Sequence, residues 1–500
     1  MIRRYGDPDQ CRLWTPGEMQ RADQNALREG ISLRSLVDEA GRAVAAEISS
    51  RFPNAKRVAV LVGPGNNGRD ALVAARYLRE EKRSADLFGT ANRHDEIAPL
   101  QVFHGGKYDL VLDGLWGAGL SRDVEGDAED VLRKAEDSGR PIVSIDIPSG
   151  VDGGNGQIRG YAPKVDLTVT FVRRKPGHCL LPGRDHCGTI VVAPIGLSET
   201  AMKEAAEPFE PVFANEPSLW LHHAATPLTA HHKYDRGHAV VFSGGMSRTG
   251  AARLAALSAL RGGAGLVTVF SPASALLVNA QHLTGIMLKR CEDGDLDVLL
   301  EDKRLNAFVL GPGFGIGDRA KAMALTVLKA GRRLVLDADG LTSFRDHASR
   351  LFEAARQCSD SEPQLVLTPH DGEFARLFPD LAGDLRLSKV DRARHASRRS
   401  NAIVVLKGAD TVIAAPDGRA AINATGTPWL ATAGTGDVLA GLVAAQLAQK
   451  RPSFEAACLA VWMHGKAAEH FGPGLISEDL PHCLPAVHRE IVSLAMDNAH

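Results

Sequence analysis

The sequence lacks the long apolar runs, the charge excess and the leader pattern that mark several classes of protein. No segment has the uninterrupted apolar length that spans a bilayer. The N-terminal stretch has no apolar core of the kind found in signal peptides. With 58 basic and 60 acidic residues, the net charge is −2, which gives no electrostatic footprint for nucleic acid or an anionic membrane. We therefore expect neither nucleic-acid nor membrane partners.

The sequence also lacks a C-x-x-C pair. Its seven cysteines are odd in number and scattered, which favours reduced thiols and a cytoplasmic location over a disulfide framework. His178-Cys179 and His186-Cys187 fit no common zinc spacing, so they are weak candidates for a metal site. At 500 residues the chain is too long for one core, and two or three domains are expected.

Two blocks of alternating strand-like and helix-like segments predict an α/β protein, and the first block predicts a parallel sheet covered on both faces. The first block has helical patterns over 27–51 and 70–78, and strands at 58–62, 85–88, 110–112, 142–145 and 167–171. The second has helices over 250–261 and 437–449, and strands at 238–242, 266–270, 308–310, 334–336, 365–367 and 403–406. A proline- and histidine-rich stretch between the blocks is typical of a linker or crossover.

The first glycine loop, Gly63-Pro64-Gly65-Asn66-Asn67-Gly68, follows a strand and formally matches the dinucleotide fingerprint G-x-G-x-x-G. A Rossmann site also needs an acid about 20 residues further on, at the end of the second strand. This sequence has Gly89-Thr90-Ala91 there instead. The fingerprint is therefore weak evidence for a dehydrogenase, and a glycine loop that closes a strand–helix turn explains it equally well.

Polar residues follow neighbouring strands of the first block, in "GPGNNG", "LDGLWGAGL" and "VSIDIPSGVDG". Open parallel sheets bind ligands at the carboxyl ends of their strands. We therefore expect Asn67, Asp113, Asp146 and Ser149 to converge on one crevice, where carboxamide oxygens can bind a cation. Asp146 lies between two isoleucines. A proton-transfer role and a role in bonding loop amides are about equally supported for it.

Four stretches of the first block, "GPGNNGRDALVAARYL", "DGLWGAGL", "IDIPSGVDG" and "DLTVTFVRRKPGH", together resemble the epimerase half of the bifunctional NAD(P)H-hydrate repair enzymes. The resemblance implies a Rossmann-like three-layer α/β/α domain, with Asp146 as the catalytic proton-transfer carboxylate. It also implies a potassium site made of Asn67, Asp113 and Ser149. The residues implied to contact the hydrate are Asn66, Asn67, Gly68, Arg69, Asp70, Gly117, Ala118 and Gly119.

Arg69 and Ala71 depart from the glycines that are usual in the family's loop. A positive φ at Arg69 would strain the backbone, and the guanidinium would alter contacts to phosphate. A catalytically silent binding module is therefore an alternative for the first domain.

The second block has its richest stretch at Ala433-Gly434-Thr435-Gly436-Asp437, which precedes an apolar helix. Small residues let backbone amides point at a phosphoryl group, and the helix N-terminus adds partial positive charge. Asp437 can then take the proton from an attacking hydroxyl. The alternative is that Asp437 simply caps the helix. The four small residues before it favour the anion site.

Other predicted strand ends of the second block are rich in glycine or carboxylate. They contribute Lys407 to Thr411, His370 to Glu373, Gly311, Gly313, Gly315, Asp337, Asp339 and a glycine loop near Ala251. Each alone is best explained as a structural turn. Together they favour a nucleotide site.

This block resembles the ribokinase-like α/β fold, in which G-x-G-D marks the anion hole and the catalytic aspartate. The stretches "HKYDRGHAVVFSGG", "LTPHDGEFARLF", "LKGADT" and "TPWLATAGTGDVLAGLVAAQLAQ" are similar to the dehydratase half of the same repair enzymes. The resemblance implies that Asp437 is the base and that Ala251, Gly313 and His370 face the hydrate. The residues implied to bind the adenine nucleotide are Lys407, Gly408, Ala409, Asp410, Thr411 and Gly436.

The two resemblances together imply an epimerase domain over 1–215, a linker over 216–236 and an ADP-dependent dehydratase domain over 237–500. They imply that the substrates are the NADH and NADPH hydrates. They also favour ADP as the phosphoryl donor, with ATP as the alternative, and imply Mg²⁺ and K⁺ as the ions. The competing hypothesis is a ribokinase-like kinase for a vitamin alcohol, with a non-catalytic N-terminal ligand-binding domain. Whether the chain forms a homo-oligomer stays open.

Overall fold

The computed structural model describes residues 7–89, 96–224, 232–358 and 362–497. The chain divides into two compact units, one of residues 12–212 and one of residues 213–500 together with residues 1–11. Within the described ranges, no helix is both long and apolar enough to cross a bilayer. Residues 225–231 of the predicted linker, and Thr90 and Ala91 after the second strand, lie outside the described residues.

The N-terminal unit is built on one parallel sheet. Its helices are α1 (Pro16–Arg28), α2 (Leu33–Arg51), α3 (Asn66–Glu80), α4 (Asp127–Asp137) and α5 (Glu199–Ala206). The strands of this sheet are β2 (Arg57–Val62), β3 (Ser84–Gly89), β4 (Ile97–Pro99), β5 (Leu110–Gly114), β6 (Ile142–Ile145), β7 (Leu167–Phe171) and β8 (Thr189–Ala193). The two-residue strand β1 (Arg12–Leu13) is not part of it. The sheet order is β4-β3-β2-β5-β6-β7-β8, so the chain reverses its direction of growth between β2 and β5. Such a reversal opens a crevice at the carboxyl ends of the strands.

Both faces of this sheet are covered. Successive side chains of a strand point to opposite faces, and β2 shows this directly. Val58 and Val60 join the core that includes residues of α1, α2 and α3. Ala59 and Leu61 join a second core that includes residues of α4. The expected three-layer α/β/α arrangement is confirmed.

The C-terminal unit has a larger, mixed sheet. Its strands are β9 (Val212–Ala214), β10 (His238–Phe242), β11 (Leu266–Ser271), β12 (Met287–Arg290), β13 (Leu305–Leu310), β14 (Arg333–Leu336), β15 (Leu365–Leu367), β16 (Ile403–Leu406), β17 (Val412–Ala414) and β18 (Ala420–Ile422). Their order is β9-β18-β17-β16-β15-β14-β13-β10-β11-β12. Pairing is parallel from β12 to β16 and antiparallel between β16, β17 and β18.

Thirteen helices accompany this sheet in the described residues. They are α6 (Pro217–Trp220), α7 (Thr249–Arg261), α8 (Ala273–His282), α9 (Leu296–Leu299), α10 (Asp318–Lys329), α11 (Ala338–Ser343), α12 (Ala348–Gln357), α13 (Asp371–Leu377), α14 (Pro379–Gly383), α15 (Lys389–Ser400), α16 (Thr435–Ala448), α17 (Ser453–Phe471) and α18 (Asp479–Asp497).

Helix α16 lies in the middle of the C-terminal unit. Every residue from Val438 to Ala448 is buried, as expected of a helix that is apolar on all sides. A Cβ on Gly441 would lie 2.0 Å from the carbonyl oxygen of Ala255, so only glycine permits this close contact with α7. The first turn of α16, which carries Asp437, is therefore held by a rigid core.

Five of the predicted strands, at 142–145, 167–171, 238–242, 365–367 and 403–406, coincide with observed strands. Two helix predictions were wrong at their N-terminal ends. The pattern over 27–51 covers two helices, because α1 ends at Arg28 and Ser32 caps α2 by accepting a hydrogen bond from the Ser35 amide. Helix α3 begins at Asn66 rather than Asp70, so the asparagine pair forms the first turn of a helix rather than a loop.

Candidate functional site

A cavity of about 840 Å³ opens at the carboxyl ends of β2, β5 and β6 in the N-terminal unit. Asp146 lines it together with most of the predicted substrate residues, namely Asn66, Asn67, Asp70, Gly117, Ala118 and Gly119. Gly68 and Arg69 do not line it. Gly68 has a structural reason to be glycine, because a Cβ there would lie 1.9 Å from the carbonyl oxygen of Gly63. The strand ends that carry these predicted residues therefore meet at one crevice.

Asp146 follows β6 with a φ of 66°, a left-handed conformation that is rare for aspartate. Its Oδ1 accepts hydrogen bonds from Lys175 Nζ at 2.6 Å and from Thr170 Oγ1 at 3.0 Å. Its Oδ2 accepts one from the Ala118 amide at 2.9 Å. Burial alone would raise the pKa of Asp146, but the charge and hydrogen bond of Lys175 and the Ala118 amide lower it to about 2. Asp146 is therefore an ionised carboxylate at neutral pH.

His178 fixes the backbone beneath this pair. Its Nδ1 accepts a hydrogen bond from the Lys175 amide at 2.9 Å, so the proton lies on Nε2. Nε2 then donates to the backbone carbonyl of Asp146 at 2.9 Å. Burial, assisted by the charge of Lys175, lowers the pKa of His178 to about 3. The imidazole stays neutral and connects the segments that carry Asp146 and Lys175.

The three predicted potassium ligands lie beside this cavity. Ser149 Oγ donates to Asp113 Oδ1 at 2.7 Å, and the Ser149 amide donates to Asp113 Oδ2 at 2.8 Å. Asn67 Nδ2 donates to the Ile145 carbonyl at 3.2 Å, and a Cβ on Gly117 would lie 3.1 Å from Asn67 Oδ1. Burial raises the pKa of Asp113, although its bonds from Ser149 oppose this. Carboxylate, hydroxyl and carboxamide oxygens suit a hard cation.

Within the ranges that the structure describes, no three His, Cys, Asp or Glu side chains are grouped to hold a metal ion. A potassium site at Asn67, Asp113 and Ser149 would therefore depend on uncharged oxygens as well as on one carboxylate.

Two more carboxylates, Asp23 and Asp70, line the same cavity. Burial raises the pKa of Asp23 to about 6, which Lys175 opposes and Asp146 reinforces. Burial, with the charges of Asp146 and Asp23, raises the pKa of Asp70 well above its usual range. Asp23, which lies on α1, was not predicted from the sequence. Lys175 was not predicted either, although the run of basic residues in "DLTVTFVRRKPGH" is a local signal that could have indicated it.

The departures at Arg69 and Ala71 are accommodated. Arg69 lies inside α3 and is not among the residues with positive φ, so the condition under which its backbone would be strained is not met. Its Nη1 donates to Asn66 Oδ1 at 3.3 Å. Ala71 is buried, and a Cβ on Gly114 would lie only 2.5 Å from its side chain. Because Arg69 and Ala71 lie in a helix, neither position requires glycine.

In the C-terminal unit, the predicted anion site is the N-terminus of α16. Gly434 is the N-cap, with a φ of 89°, and no side chain caps the helix. Asp437 is the third helical residue, so the alternative that it caps the helix was wrong. The uncapped amides of this first turn are donors of the kind that bind phosphoryl oxygens.

Lys407 lies close to this helix start. Its Nζ donates to Asp337 Oδ1 at 2.9 Å and lies 3.7 Å from Glu373 Oε2. A Cβ on Gly436 would lie 3.4 Å from the same Nζ. Burial raises the pKa of Asp437 to about 6; the charge of Asp337 adds to this and that of Lys407 opposes it. Asp437 therefore exchanges its proton close to neutral pH, as a general base should.

The other predicted residues of this unit fall into two local groups. A Cβ on Gly313 would lie 3.3 Å from the side chain of Ala251, so these two are adjacent. His370 caps α13 by accepting from the Gly372 amide at 3.0 Å, and its Nε2 lies 3.5 Å from Glu373 Oε1. Glu373 also faces Lys407, which joins His370 to the same charged cluster.

The segment Lys407-Gly408-Ala409-Asp410-Thr411 forms a tight turn, in which Thr411 Oγ1 accepts from the Gly408 amide at 3.1 Å. Lys389 Nζ donates to Asp410 Oδ1 at 2.6 Å. Lys389 was missed because it begins α15, away from any glycine-rich strand end.

Comparisons with known proteins show what the chain is similar to. Residues 239–480 match a family model described as NAD(P)H-hydrate dehydratase, and residues 33–101 and 88–177 match one described as YjeF-related protein N-terminus. A bifunctional NAD(P)H-hydrate repair enzyme of Gloeobacter violaceus is 36% identical, over 92% of this chain and 93% of its own. One of Thermofilum pendens is 33% identical over 95% of both chains. The crystal structure of an ADP/ATP-dependent NAD(P)H-hydrate dehydratase from Bacillus subtilis, co-crystallised with ATP/Mg²⁺, is 28% identical and covers 53% of this chain and 94% of its own, with a TM-score of 0.45.

These full-length matches show that the chain belongs to the family of bifunctional NAD(P)H-hydrate repair enzymes.

Proposed function

We propose that this protein repairs hydrated NADH and NADPH in two steps. The N-terminal unit interconverts the R and S epimers of the hydrate, and the C-terminal unit dehydrates the S epimer with a nucleotide as phosphoryl donor. The observation that carries the second step is Asp437, a carboxylate with a pKa of about 6 in the first turn of an uncapped helix. A base and an anion site in one helical turn suit phosphoryl transfer.

In the dehydratase step, Asp437 takes the proton of the hydrate's hydroxyl. The oxygen attacks the terminal phosphoryl group of the nucleotide, an O–P bond forms and the phosphoanhydride breaks. The C–O bond then breaks with release of phosphate, the adjacent carbon loses a proton and the ring regains its double bond. The first amides of α16 hold the phosphoryl oxygens, and Ala251, Gly313 and His370 face the hydrate.

The nucleotide binds along the turn from Lys407 to Thr411 and at Gly436. We propose ADP as the donor, with ATP as the alternative, and Mg²⁺ bound with the nucleotide. Magnesium would neutralise charge on the phosphates. The charged cluster supports a polyphosphate site, because partly buried Lys407, bonded to Asp337, supplies a positive charge.

In the epimerase step, Asp146 is the proton-transfer carboxylate, and the hydrate contacts Asn66, Asn67, Asp70 and the residues from Gly117 to Gly119; Gly68 and Arg69 do not line the cavity. Asn67, Asp113 and Ser149 would hold potassium, which would supply positive charge beside the buried Asp113 carboxylate. The ionised state of Asp146, held by Lys175, supports this role, because a proton acceptor must be unprotonated before it acts.

We also propose an epimerase domain over 1–215, a linker over 216–236 and a dehydratase domain over 237–500. A cytoplasmic location is supported by the seven cysteines, all of which are free thiols. The substrates are small molecules.

The deciding experiment starts from pure R- or S-NADH hydrate and the full-length protein, with ADP or ATP, Mg²⁺ and K⁺. S-hydrate should yield NADH and free phosphate, and R-hydrate should be consumed faster than it epimerises in buffer. Mass spectrometry separates this from the kinase hypothesis, because a stable phosphorylated product would contradict the repair function.

A further inference from the structure

Helix α1 forms one wall of the N-terminal cavity and carries Asp23 there. The two proposed steps give this carboxylate no role. Residues of the first turns of α1, among them Pro16 and Met19, line the same cavity. Asp23 is half-buried. Within the described residues, it accepts no hydrogen bond and forms no ion pair. Asp146, by contrast, has three donors. A half-buried carboxyl group without a partner, facing an open cavity, is available to a ligand.

The charged groups around Asp23 come from three segments. Lys175, after β7, and Asp146, after β6, both act on its pKa, and Asp70 of α3 also senses its charge. The residues of α2 that line the cavity are apolar, namely Leu33, Leu36, Val37 and Ala40. Helix α5 packs against α1. Its charged residues, Glu199, Lys203 and Glu204, do not line the cavity. Because Lys175 is bonded to Asp146, Asp23 has no cation of its own.

The chemistry of epimerisation asks for two groups. Hydration of the dihydronicotinamide enamine places the hydroxyl on the carbon next to the ring nitrogen, and that carbon is inverted. The hydroxyl must leave from one face of the ring, and water must return to the other. Departure of a poor leaving group needs a proton donor, and the addition of water needs a proton acceptor. Ionised Asp146 can accept a proton but has none to give.

We propose that Asp23 is the second proton-transfer group of the N-terminal site, paired with Asp146; this inference rests on the proposed epimerase function. Protonated Asp23 gives its proton to the hydroxyl, the C–O bond breaks, and the lone pair of the ring nitrogen forms a C=N⁺ bond. Water adds to the opposite face and gives its proton to Asp146. Asp23 ends ionised and Asp146 protonated, which is the state that catalyses the reverse inversion. Proton exchange with solvent restores the first state.

The two carboxyl groups are suited to these opposite tasks. The pKa of Asp146 is about 2, so this group is ionised, whereas burial raises the pKa of Asp23 to about 6, so a useful fraction carries a proton near neutral pH. The physical cause is the position of Lys175, whose Nζ is 2.6 Å from one carboxylate and bonded to no oxygen of the other. Pairs of acids whose pKa values are driven apart mark acid and base assignments.

The test measures epimerisation of R-NADH hydrate by full-length Asp23→Asn, Asp23→Glu and wild-type protein, without nucleotide. Asp23→Asn should lower kcat by about 100-fold or more with little change in KM, and Asp23→Glu should restore part of the rate. For wild type, kcat/KM should fall as pH rises through about 6, because Asp23 must be protonated. This limb should be absent in Asp23→Asn.

A matched control is Asp137→Asn, an exposed acid of α4 that does not line the cavity; its rate and pH profile should equal those of wild type. The melting temperature of Asp23→Asn should equal or exceed that of wild type, because the substitution removes a half-buried charge that has no partner. Suppose that the wild-type protein epimerises the hydrate. The assignment of Asp23 alone would then be overturned if Asp23→Asn were as fast as wild type, or if its kcat/KM still fell as pH rose through about 6. A wild-type rate no faster than buffer would overturn the proposed epimerase function itself.

Discussion

The two units each combine a candidate aspartate with a lysine, buried at Lys175 and partly buried at Lys407, yet the two aspartates differ in protonation. In the N-terminal unit, Lys175 Nζ is bonded to Asp146 itself at 2.6 Å, and the pKa of Asp146 is about 2. In the C-terminal unit, Lys407 Nζ is bonded to Asp337, and the pKa of Asp437 is about 6. Burial raises the pKa in both cases. The direct ion pair with Lys175 keeps Asp146 ionised, whereas Asp437 has no such pair with Lys407.

The comparison shows that a lysine near an acid does not by itself predict the acid's charge. At Asp437 the attraction of Lys407 is offset by the neighbouring Asp337. Asp337 accepts a hydrogen bond from Lys407 and adds a negative charge that repels the Asp437 carboxylate. A base that accepts a proton from a hydroxyl gains from a pKa near neutrality. An anion that must stay ionised gains from a bonded lysine. The arrangement of one hydrogen bond therefore suits each unit to a different task.

The largest effect is expected from exchanging each aspartate for asparagine. Asp437→Asn should lower NADH formation from S-hydrate by about 100- to 10,000-fold and leave epimerisation unchanged. Asp146→Asn should lower epimerisation by a similar factor and leave NADH formation from S-hydrate unchanged. Absorbance of NADH and chiral separation of the hydrates measure the two activities. Asp297→Asn, an exposed acid on α9, is the matched control and should change neither. Loss of both activities in one variant would contradict independent sites.

Removing the lysine that holds Asp146 should be the next largest effect. Lys175→Met leaves a buried carboxylate unpaired and should cost about 3–5 kcal/mol of unfolding free energy at pH 7, measured by urea denaturation. Lys175 is 1% and Asp146 16% exposed at the side chain, so screening by solvent is weak. Lys164→Met removes an exposed lysine and should cost little.

The pH dependence gives the sign of this effect. In wild type, the depressed pKa of Asp146 contributes stability that is lost only as pH falls through about 2. In Lys175→Met, burial raises the pKa of Asp146, so the carboxyl takes up a proton at a higher pH and the penalty disappears. The difference in stability should therefore shrink as pH falls. A constant difference from pH 7 to pH 4 would contradict the direct ion pair.

A smaller effect should follow from removing the charge that competes for Lys407. For wild type, kcat/KM of dehydration should rise as pH rises through about 6, because Asp437 must be ionised. In Asp337→Asn, the repulsive charge is lost and Lys407 is released, so the rise of kcat/KM with pH should move to lower pH. The ratio of activities at pH 5 and pH 7 should rise several-fold.

The matched control for this shift is Thr368→Val. It removes the hydroxyl that donates to Asp337 Oδ1 at 2.8 Å but keeps the charge, so the limb should stay in place. An unshifted limb in Asp337→Asn would show that burial alone sets the pKa of Asp437.

The smallest effect is expected at Arg69. Because Arg69 lies in helical conformation at the exposed start of α3, Arg69→Gly should cost about 1 kcal/mol of stability. Epimerisation should change less than about threefold. Arg69→Ala keeps the helix and should cost little stability. A gain of epimerisation above tenfold in both variants would show that the guanidinium obstructs the site.

Much of the N-terminal site was predictable because parallel strands end at one edge of their sheet. Asn67 and Asp146 follow different strands and line one cavity, and Asp113 and Ser149 are hydrogen-bonded to each other beside it. Asp23 was not predictable in this way. It lies on a helix, where an acid between apolar positions resembles any solvated side chain. Only the packing of α1 over the strand ends brings it to the cavity.

The sequence by itself determined the two α/β units, most strands and the small-residue segment before Asp437. These follow from local periodicity and from residues that are close in the chain. The family followed from the resemblance of several motifs. Tertiary structure decided the protonation of the candidate acids, since a pKa depends on burial and on the partner within bonding distance. It also decided that Lys175 bonds Asp146 while Lys407 bonds Asp337. Those contacts join segments that no local pattern connects.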